Sequence, residues 1–159
     1  MAEARVLLEE YVRGGKLMQL ATLGDDGAPR VCSVWYDAHF APDVLRWISR
    51  QDRVHSLNAR SDSRVAGAIV AIPLKDLGQT VRGVSFAGHA RELSTVGIDR
   101  QVAAFVARWP AASGVLGSAE FAAGRSPMRL YEVRVAEWVL FDEENLPDDP
   151  RRVILPPSA

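Results

Sequence analysis

The pattern of apolar and polar positions along the chain is mainly that of β-strands. Short runs rich in Val, Ile, Leu and aromatic residues recur between turn-forming segments. The predicted strands cover residues 17–23, 30–37, 44–48, 64–72, 80–93, 128–141 and 153–155. Strand 17–23 has little polarity on either face, which indicates a central strand, and the nearly unbroken apolar strand 64–72 is expected to be buried.

The two longest predicted strands also show which residues point inward, because side chains two positions apart lie on the same face. In strand 80–93 the apolar face contains Val84, Phe86 and Ala90, and Gly88 predicts a bend. In strand 128–141 we expect one shared face made of Tyr131, Val133, Val135, Val139 and Phe141.

Three stretches have helical spacing instead. Residues 2–13 carry apolar side chains four positions apart and end at two glycines, and residues 97–109 form the clearest amphipathic helix, with Ser94 or Thr95 as its cap. A short helix over 53–59 follows Asp52, which we expect to be its N-cap. Residues 111–127, rich in small residues, indicate either a mobile loop or a second short helix.

The order of these elements predicts a mainly β fold, a six-stranded antiparallel barrel with flanking helices. The strands follow one another in hairpin-like order, without βαβ alternation and without a glycine-rich nucleotide loop. We therefore expect a single domain over 1–159. Its parts are helix 2–13, barrel 16–93, helix 97–109, the last long strand 128–141 and a C-terminal tail 142–159.

Charge and cysteine content argue against several classes of protein. A net charge of −1 argues against nucleic acid or an anionic membrane surface as the main partner. The single cysteine, Cys32, cannot form an internal disulfide and suits a reducing compartment. No apolar run approaches the ~20 residues of a transmembrane helix, and no signal-peptide pattern opens the chain. We expect a soluble, cytoplasmic protein.

The segment from Val44 to Arg60 carries the most specific chemistry. A strand that ends at Ser49 is followed by a short helix with Arg53 and His55 in its first turn. Positive side chains are disfavoured at a helix N-terminus, whereas free backbone N–H groups and basic side chains together bind phosphate. This pattern predicts an anion site. The alternative is an ordinary solvated turn in which Asp52 neutralises Arg53.

Other chemistry finds less support in the sequence. The three histidines lie in separate elements without the spacing of metal ligands, so we predict no metal site. The segment Gly83–Gly88 misses the nucleophile-elbow pattern of serine hydrolases. Cys32, within an apolar strand, is better explained as a small core residue than as a nucleophile. No side chain stands out as a catalytic acid or base.

Several motifs follow one another in a characteristic order. Strand 17–23, the turn Gly24–Gly27, the strand Pro29–Tyr36 and the segment Leu45–Asn58 come first. The segment Arg82–Leu93, the pair Trp109-Pro110 and the run Glu132-Val133-Arg134 come later. In order and spacing these motifs resemble the pyridoxamine 5′-phosphate oxidase-like family of FMN-binding split β-barrels, and most closely a small bacterial branch of it. The resemblance spans residues 4–155.

This resemblance implies a set of cofactor-binding positions. The family holds the FMN phosphate with a hydroxyl that closes the third strand and with basic residues that open the next helix, which match Ser49, Arg53 and His55. The flavin ring lies along the second and third strands, and the matching positions are Arg30, Cys32, Ser33, Val34 and Ile48. Arg82 matches an arginine that precedes a flavin-contacting glutamine, and Gly83 replaces that glutamine here.

The resemblance also implies a homodimer with two equivalent cofactor sites at the subunit interface. The oxidase's C-terminal substrate signature is not reproduced, so pyridoxamine phosphate is not carried over as substrate. We expect an FMN-binding flavoprotein, a small oxidoreductase of unknown substrate. The alternatives are a non-catalytic protein that binds or senses flavin or haem on the same barrel, and a cofactor-free interaction module.

Overall fold

Five α-helices, one 3-10 turn and eight β-strands make up residues 2–158, the part of the chain described by this computed structural model. Met1 and Ala159, the ends of the expected domain, lie outside the described residues. The strands are β1 (Leu17–Leu23), β2 (Pro29–Trp35), β3 (Asp37–His39), β4 (Val44–Arg50), β5 (Arg64–Val70), β6 (Arg82–Glu92), β7 (Met128–Asp142) and β8 (Arg151–Ile154). The helices are α1 (Ala2–Gly14), α2 (Val54–Ser61), α3 (Asp99–Arg108), α4 (Ser113–Leu116) and α5 (Ala119–Ala122), with the 3-10 turn at Pro110–Ala112.

All eight strands belong to one antiparallel sheet. Its order is β2-β1-β5-β6-β7-β4-β3, and β8 pairs with the second half of β7. The sheet curls, because β2 and β4 contact each other although they lie far apart in this order and share no backbone pairing. The predicted mainly β, split-barrel class is confirmed. The sheet has eight strands, not the six predicted for the barrel: β8 corresponds to the predicted terminal strand 153–155, and the short β3 was not predicted.

The main core fills the concave side of the sheet. Its largest side chains, fully shielded from solvent, include Trp47, Trp138, Tyr131, Met18 and Leu20. Helix α1 closes this core with Leu8 and Val12, which confirms the predicted amphipathic first helix. At about 25 cal/mol per Å², burial of side chains of this size is the main favourable contribution to folding.

A second, smaller core lies between the sheet and the helices of segment 99–122. Phe105, Leu116 and Phe121 pack there against Leu93 and Leu130. The predicted helix over 97–109 is confirmed in shorter form. Its cap is corrected: Ile98, not Ser94 or Thr95, occupies the N-cap position and makes no side-chain cap bond. Segment 111–127 contains the short helices α4 and α5.

The inward face of β7 changes half-way along the strand. Tyr131, Val133 and Val135 are buried as predicted, but beyond them the buried residues are Trp138 and Leu140. The cause is an irregularity opposite Gly88: Gly88 pairs with Val135 and Ala87 with Glu137, which leaves Ala136 as an extra residue. The predicted single face including Val139 and Phe141 is therefore wrong, whereas the bend predicted at Gly88 is confirmed.

Strand β5 differs from its prediction for a related reason. Only Val65 and Ile69 are fully buried, and Ala66 and Val70 lie on the exposed convex side. The segment was predicted to be buried on both faces because its convex side carries mostly small apolar residues, but that side is exposed.

Four charged residues form a row across β3, β4, β7 and β6, which we call the charge ladder. Asp37 pairs in register with Arg46, Arg46 with Glu132, and Glu132 with Arg91. Arg46 Nη1 lies 3.5 Å from Asp37 Oδ2, and its Nε donates to Glu132 Oε2 at 2.9 Å. Arg91 Nη2 donates to Glu132 Oε1 at 3.0 Å. Asp37, Arg46 and Glu132 are buried and Arg91 is exposed, and the two carboxylates of the ladder are balanced by its two guanidinium groups.

None of the helices within residues 2–158 combines the length and apolarity needed to span a bilayer.

Candidate functional site

The candidate site lies where the curled sheet fails to close. Strand β3 pairs only with residues Val44–Arg46 of β4, so the same edge of Trp47–Arg50 has no strand partner in the described sheet. Strand β2 pairs with β1 on one edge only, and it contacts β4 without ladder hydrogen bonds. Unpaired strand edges present backbone N–H and C=O groups that a flat, polar ligand can use.

Helix α2 starts beside this opening. Arg53 is its N-cap residue, in an extended conformation and without a side-chain cap bond. Its first helical hydrogen bond runs from Leu57 N–H to Arg53 C=O, so the N–H groups of Val54, His55 and Ser56 have no intrahelical acceptor. An anion placed there would receive several backbone hydrogen bonds.

The prediction that Asp52 caps α2 is wrong. Its two carboxylate oxygens accept hydrogen bonds from Arg50 Nε at 3.0 Å and Arg50 Nη2 at 2.9 Å. This bidentate pair engages Asp52, which therefore acts on Arg53 only through space and not as an ion-pair partner. Arg53 is exposed and makes no ion pair within residues 2–158. The first turn of α2 therefore carries a cation without an ion-pair partner in this part of the chain.

Ser49 and His55 meet at this junction. Ser49 Oγ and His55 Nε2 are 2.8 Å apart, and Ser49 is buried. Burial, and secondarily the nearby Arg53 charge, lowers the pKa of His55, so the imidazole is mainly neutral at neutral pH. A bound phosphate would favour the imidazolium, because opposite charges stabilise one another.

The predicted residues on β2 divide between the two faces of the strand. Cys32 and Val34 pair with Leu20 and Met18 of β1 and pack against the main core, whereas Ser33 is exposed and bonds to Gln19. Burial raises the pKa of the Cys32 thiol, which makes it a poor nucleophile. Arg30 is exposed, and its Nη2 lies 3.5 Å from Asp26.

Ile48 lies on the opposite face of β4 from Ser49. Its side chain is partly buried against the second core, so it supports the strand from the side of the helices.

Several residues that hold the junction in place were not predicted from the sequence. Ser56 Oγ donates to Arg50 C=O at 2.7 Å, and Asn58 Nδ2 donates to Thr22 Oγ1 at 3.1 Å. Glu92 accepts hydrogen bonds from Gln51, Arg60 and Tyr131, and these bonds lower the pKa of its carboxyl despite burial. Most of these contacts join residues far apart in sequence, so no local pattern indicates them.

A family model described as pyridoxamine 5′-phosphate oxidase matches residues 7–142, most of the chain. The chain belongs to the pyridoxamine 5′-phosphate oxidase family. Among curated protein sequences, no relative matches it.

Solved structures agree with this family on the fold. The haem-binding protein of Mycobacterium smegmatis superposes with a TM-score of 0.76 at 18% identity, over 96% of this chain and 57% of that protein. The FAD-binding protein of Mesorhizobium loti superposes with a TM-score of 0.62 at 17% identity, over 84% of this chain and 90% of that protein. HutZ, a haem storage protein of Vibrio cholerae, superposes with a TM-score of 0.61 at 16% identity, over 80% of this chain and 86% of that protein. The chain thus spans a little over half of the M. smegmatis protein.

Membership of the pyridoxamine 5′-phosphate oxidase family makes the position of Arg82 notable. Ser49 pairs with Arg129 near the start of β7, and Arg82 pairs with Asp142 at its end. At about 3.3 Å per residue these points are roughly 40 Å apart along the strand. Within one chain, Arg82 is therefore not brought together with Ser49, Arg53 and His55.

Gly83 departs from the oxidase pattern for a steric reason. A Cβ atom at this position would lie 2.8 Å from the backbone oxygen of Ile69 on the paired strand β5. A side chain does not fit here without a shift of the backbone. Residue 83 therefore cannot supply the side-chain amide of the oxidase glutamine.

Proposed function

We propose that the protein is a homodimeric FMN-binding flavoprotein, a small oxidoreductase whose substrate is unknown. The observation that carries this proposal is the junction of β4 and α2. There an exposed Arg53 without an ion pair in the described residues, the Ser49–His55 pair and the free N–H groups of the first helical turn lie together between residues 49 and 56. This combination suits a phosphate monoester.

The opening between β2 and β4 is suited to the flavin ring. Free backbone groups on both edges offer hydrogen bonds to a planar heterocycle, in place of the side-chain amide that Gly83 excludes. When bound, FMN would supply the hydride or electron transfer. The role of the chain is to fix the phosphate, orient the ring and exclude water, and none of its side chains is assigned a proton-transfer step.

The dimer is proposed from the convex side of the sheet. Leu17, Trp35 and Val70 are about half exposed there, and small residues of β5 lie beside them. A second copy placed on this side would cover these apolar side chains. The half-buried free Cys32 suits a reducing compartment, so we place the protein in the cytoplasm.

Native mass spectrometry and a visible spectrum of freshly purified protein test the proposal. We expect a mass of twice 17.4 kDa plus two FMN molecules, with flavin absorption bands. A Soret band would instead support haem binding, which the structural similarity to the haem-binding protein of M. smegmatis and the haem storage protein of V. cholerae makes the second candidate. A colourless protein that rejects added FMN and haem would leave only a cofactor-free interaction module.

Light scattering at micromolar concentration tests the dimer separately. A monomer under these conditions would contradict the proposed interface, because both cofactor sites are placed at it.

A further inference from the structure

A cleft of about 720 Å³ opens between the end of α1 and the start of β6, at the other end of the sheet from the β4–α2 junction. We call it the α1–β6 cleft. Tyr11, Lys16 and Arg82 line it, together with Ile72, Pro73 and Glu10. Its volume is within the range of about 300–1,000 Å³ typical of small-molecule sites.

One donor of Arg82, its Nε, is not satisfied by the protein's own groups. Its Nε is buried and has no hydrogen-bond partner within the described residues. Glu144 Oε2 lies 3.3 Å from this atom, but out of line for a hydrogen bond, and the Glu144 side chain is more than half exposed. An unpaired buried donor is costly, so a better-placed acceptor would be favoured at this position.

The rest of the Arg82 side chain is held in place. The guanidinium lies 5.9 Å from the centre of the Tyr11 ring, and the Tyr11 hydroxyl is fixed by Asp142 and Asn145. A cation oriented in this way loses little entropy when a ligand binds.

Lys16 supplies a second cation to the same cleft. It is exposed and has no ion pair within residues 2–158, while its carbonyl accepts a hydrogen bond from Tyr36 N–H at 3.2 Å. Apolar surface from Val70, Ala71, Ile72 and Pro73 completes the wall. Glu10 on that wall disfavours a second negative charge on a ligand.

We propose that the α1–β6 cleft binds a small organic monoanion. Its carboxylate head group lies between Lys16 and Arg82 and displaces Glu144, and its apolar body packs on Tyr11 and the Val70–Pro73 segment. In this assignment Arg82 serves the cleft and not a flavin. The inference does not depend on flavin binding at the β4–α2 junction.

Benzoate and its neutral isostere benzamide are suitable probes, followed by backbone amide shifts in NMR titrations of the purified full chain. We expect benzoate to shift the amides of Gly14, Gly15 and Ile72, and benzamide to bind at least about fivefold more weakly. Inorganic phosphate, tested in the same way, shows whether the site also accepts a phosphate head group.

Three variants locate the head group. Lys16→Gln and Arg82→Gln should each weaken benzoate binding about fivefold to tenfold, as expected for a lost charge-assisted hydrogen bond. Glu144→Gln should strengthen it about two- to threefold, because a competing carboxylate is removed. Lys75→Gln, at an exposed lysine in the nearby loop, is the matched control and should have no effect.

Four results would overturn the proposal. The first is no detectable binding at about 20 mM benzoate, a concentration that would detect even a very weak complex. The second is equal binding of benzoate and benzamide, and the third is amide shifts confined to other parts of the chain. The fourth is an unchanged benzoate affinity in both Glu144→Gln and Arg82→Gln. FMN affinity, measured in the same variants, should not change. Loss of FMN affinity in Arg82→Gln alone would return Arg82 to the flavin site.

Discussion

The charge ladder and the β4–α2 junction differ in whether their arginines have carboxylate partners. In the ladder, Arg46 lies between two carboxylates, and the second of these also binds Arg91. At the junction, Arg53 has no carboxylate partner, and Asp52 next to it is engaged by Arg50. Balanced charges on neighbouring strands support the fold. An unbalanced cation beside free N–H groups indicates that the missing anion comes from outside the chain.

The largest effect should come from breaking the ladder at its centre. Glu132→Ala leaves Arg46 buried with only the longer 3.5 Å contact to Asp37, so we expect the free energy of unfolding to fall by about 3–5 kcal/mol. Urea denaturation measures this loss. Glu137→Ala, at an exposed residue of the same strand, is the control. A loss of under about 1 kcal/mol in Glu132→Ala would mean that the ladder is not structural.

Folding stability should depend on pH through Asp37, which lies at one end of the charge ladder. Burial raises the pKa of Asp37 from 3.8 to about 6, an effect that Arg46 only partly offsets. The folded state then holds a proton that the unfolded chain releases, so this carboxyl's contribution to stability is complete below pH 3.8 and is lost as pH rises through about 6. Relative to Asp37→Asn, the wild type should lose up to about 3 kcal/mol between about pH 4 and about pH 7.

Unfolding curves of both proteins across this pH range test the prediction. Parallel stability curves for the wild type and Asp37→Asn would show that the pKa of Asp37 is the same in the folded and unfolded states, contrary to the effect of its burial.

A smaller effect, confined to ligand binding, is expected at the junction. Arg53→Ala should weaken FMN binding by at least about 1.5 kcal/mol, roughly tenfold, because a charge-assisted phosphate contact is lost. Stability should stay nearly unchanged, since Arg53 is exposed and makes no ion pair in the described part of the chain. Fluorescence titration of FMN measures the affinity.

Arg151→Ala is the matched control for this experiment. It removes an exposed arginine that pairs with Phe141 near the far end of β7 and leaves Asp52 bound to Arg50, so FMN affinity should change much less. Equal losses in both variants would indicate only a general electrostatic attraction. No loss in either would remove the junction from the cofactor site.

Local patterns predicted most of the elements, because strand alternation and helix spacing are local properties. The hairpin of β1 and β2, the short α2 and the long β6 were all expected close to their observed bounds. The prediction failed where a distant partner decides the local structure. Ala136, for example, is an extra residue only because β6 bends at Gly88. The failure at Asp52 is local instead: Arg50, two residues earlier, binds its carboxylate, and Arg53 occupies the N-cap position.

The candidate site was predictable in the same limited sense. Ser49, Arg53 and His55 are close in sequence, and the structure brings them together. The position of Arg82, far along β7 from them, depends on strand register, which no motif in the sequence specifies. The cofactor roles of all nine predicted residues remain predictions.

The unpaired edges of β2 and β4 also bear on how the protein avoids aggregation. A free strand edge is a template on which another chain can add, and charged side chains near it discourage such addition. Exposed Arg30 on β2 and exposed Arg50 at the end of β4 lie at these two edges. The charged and hydrated side chains at the two edges therefore disfavour the addition of another strand there, whether or not a ligand is bound.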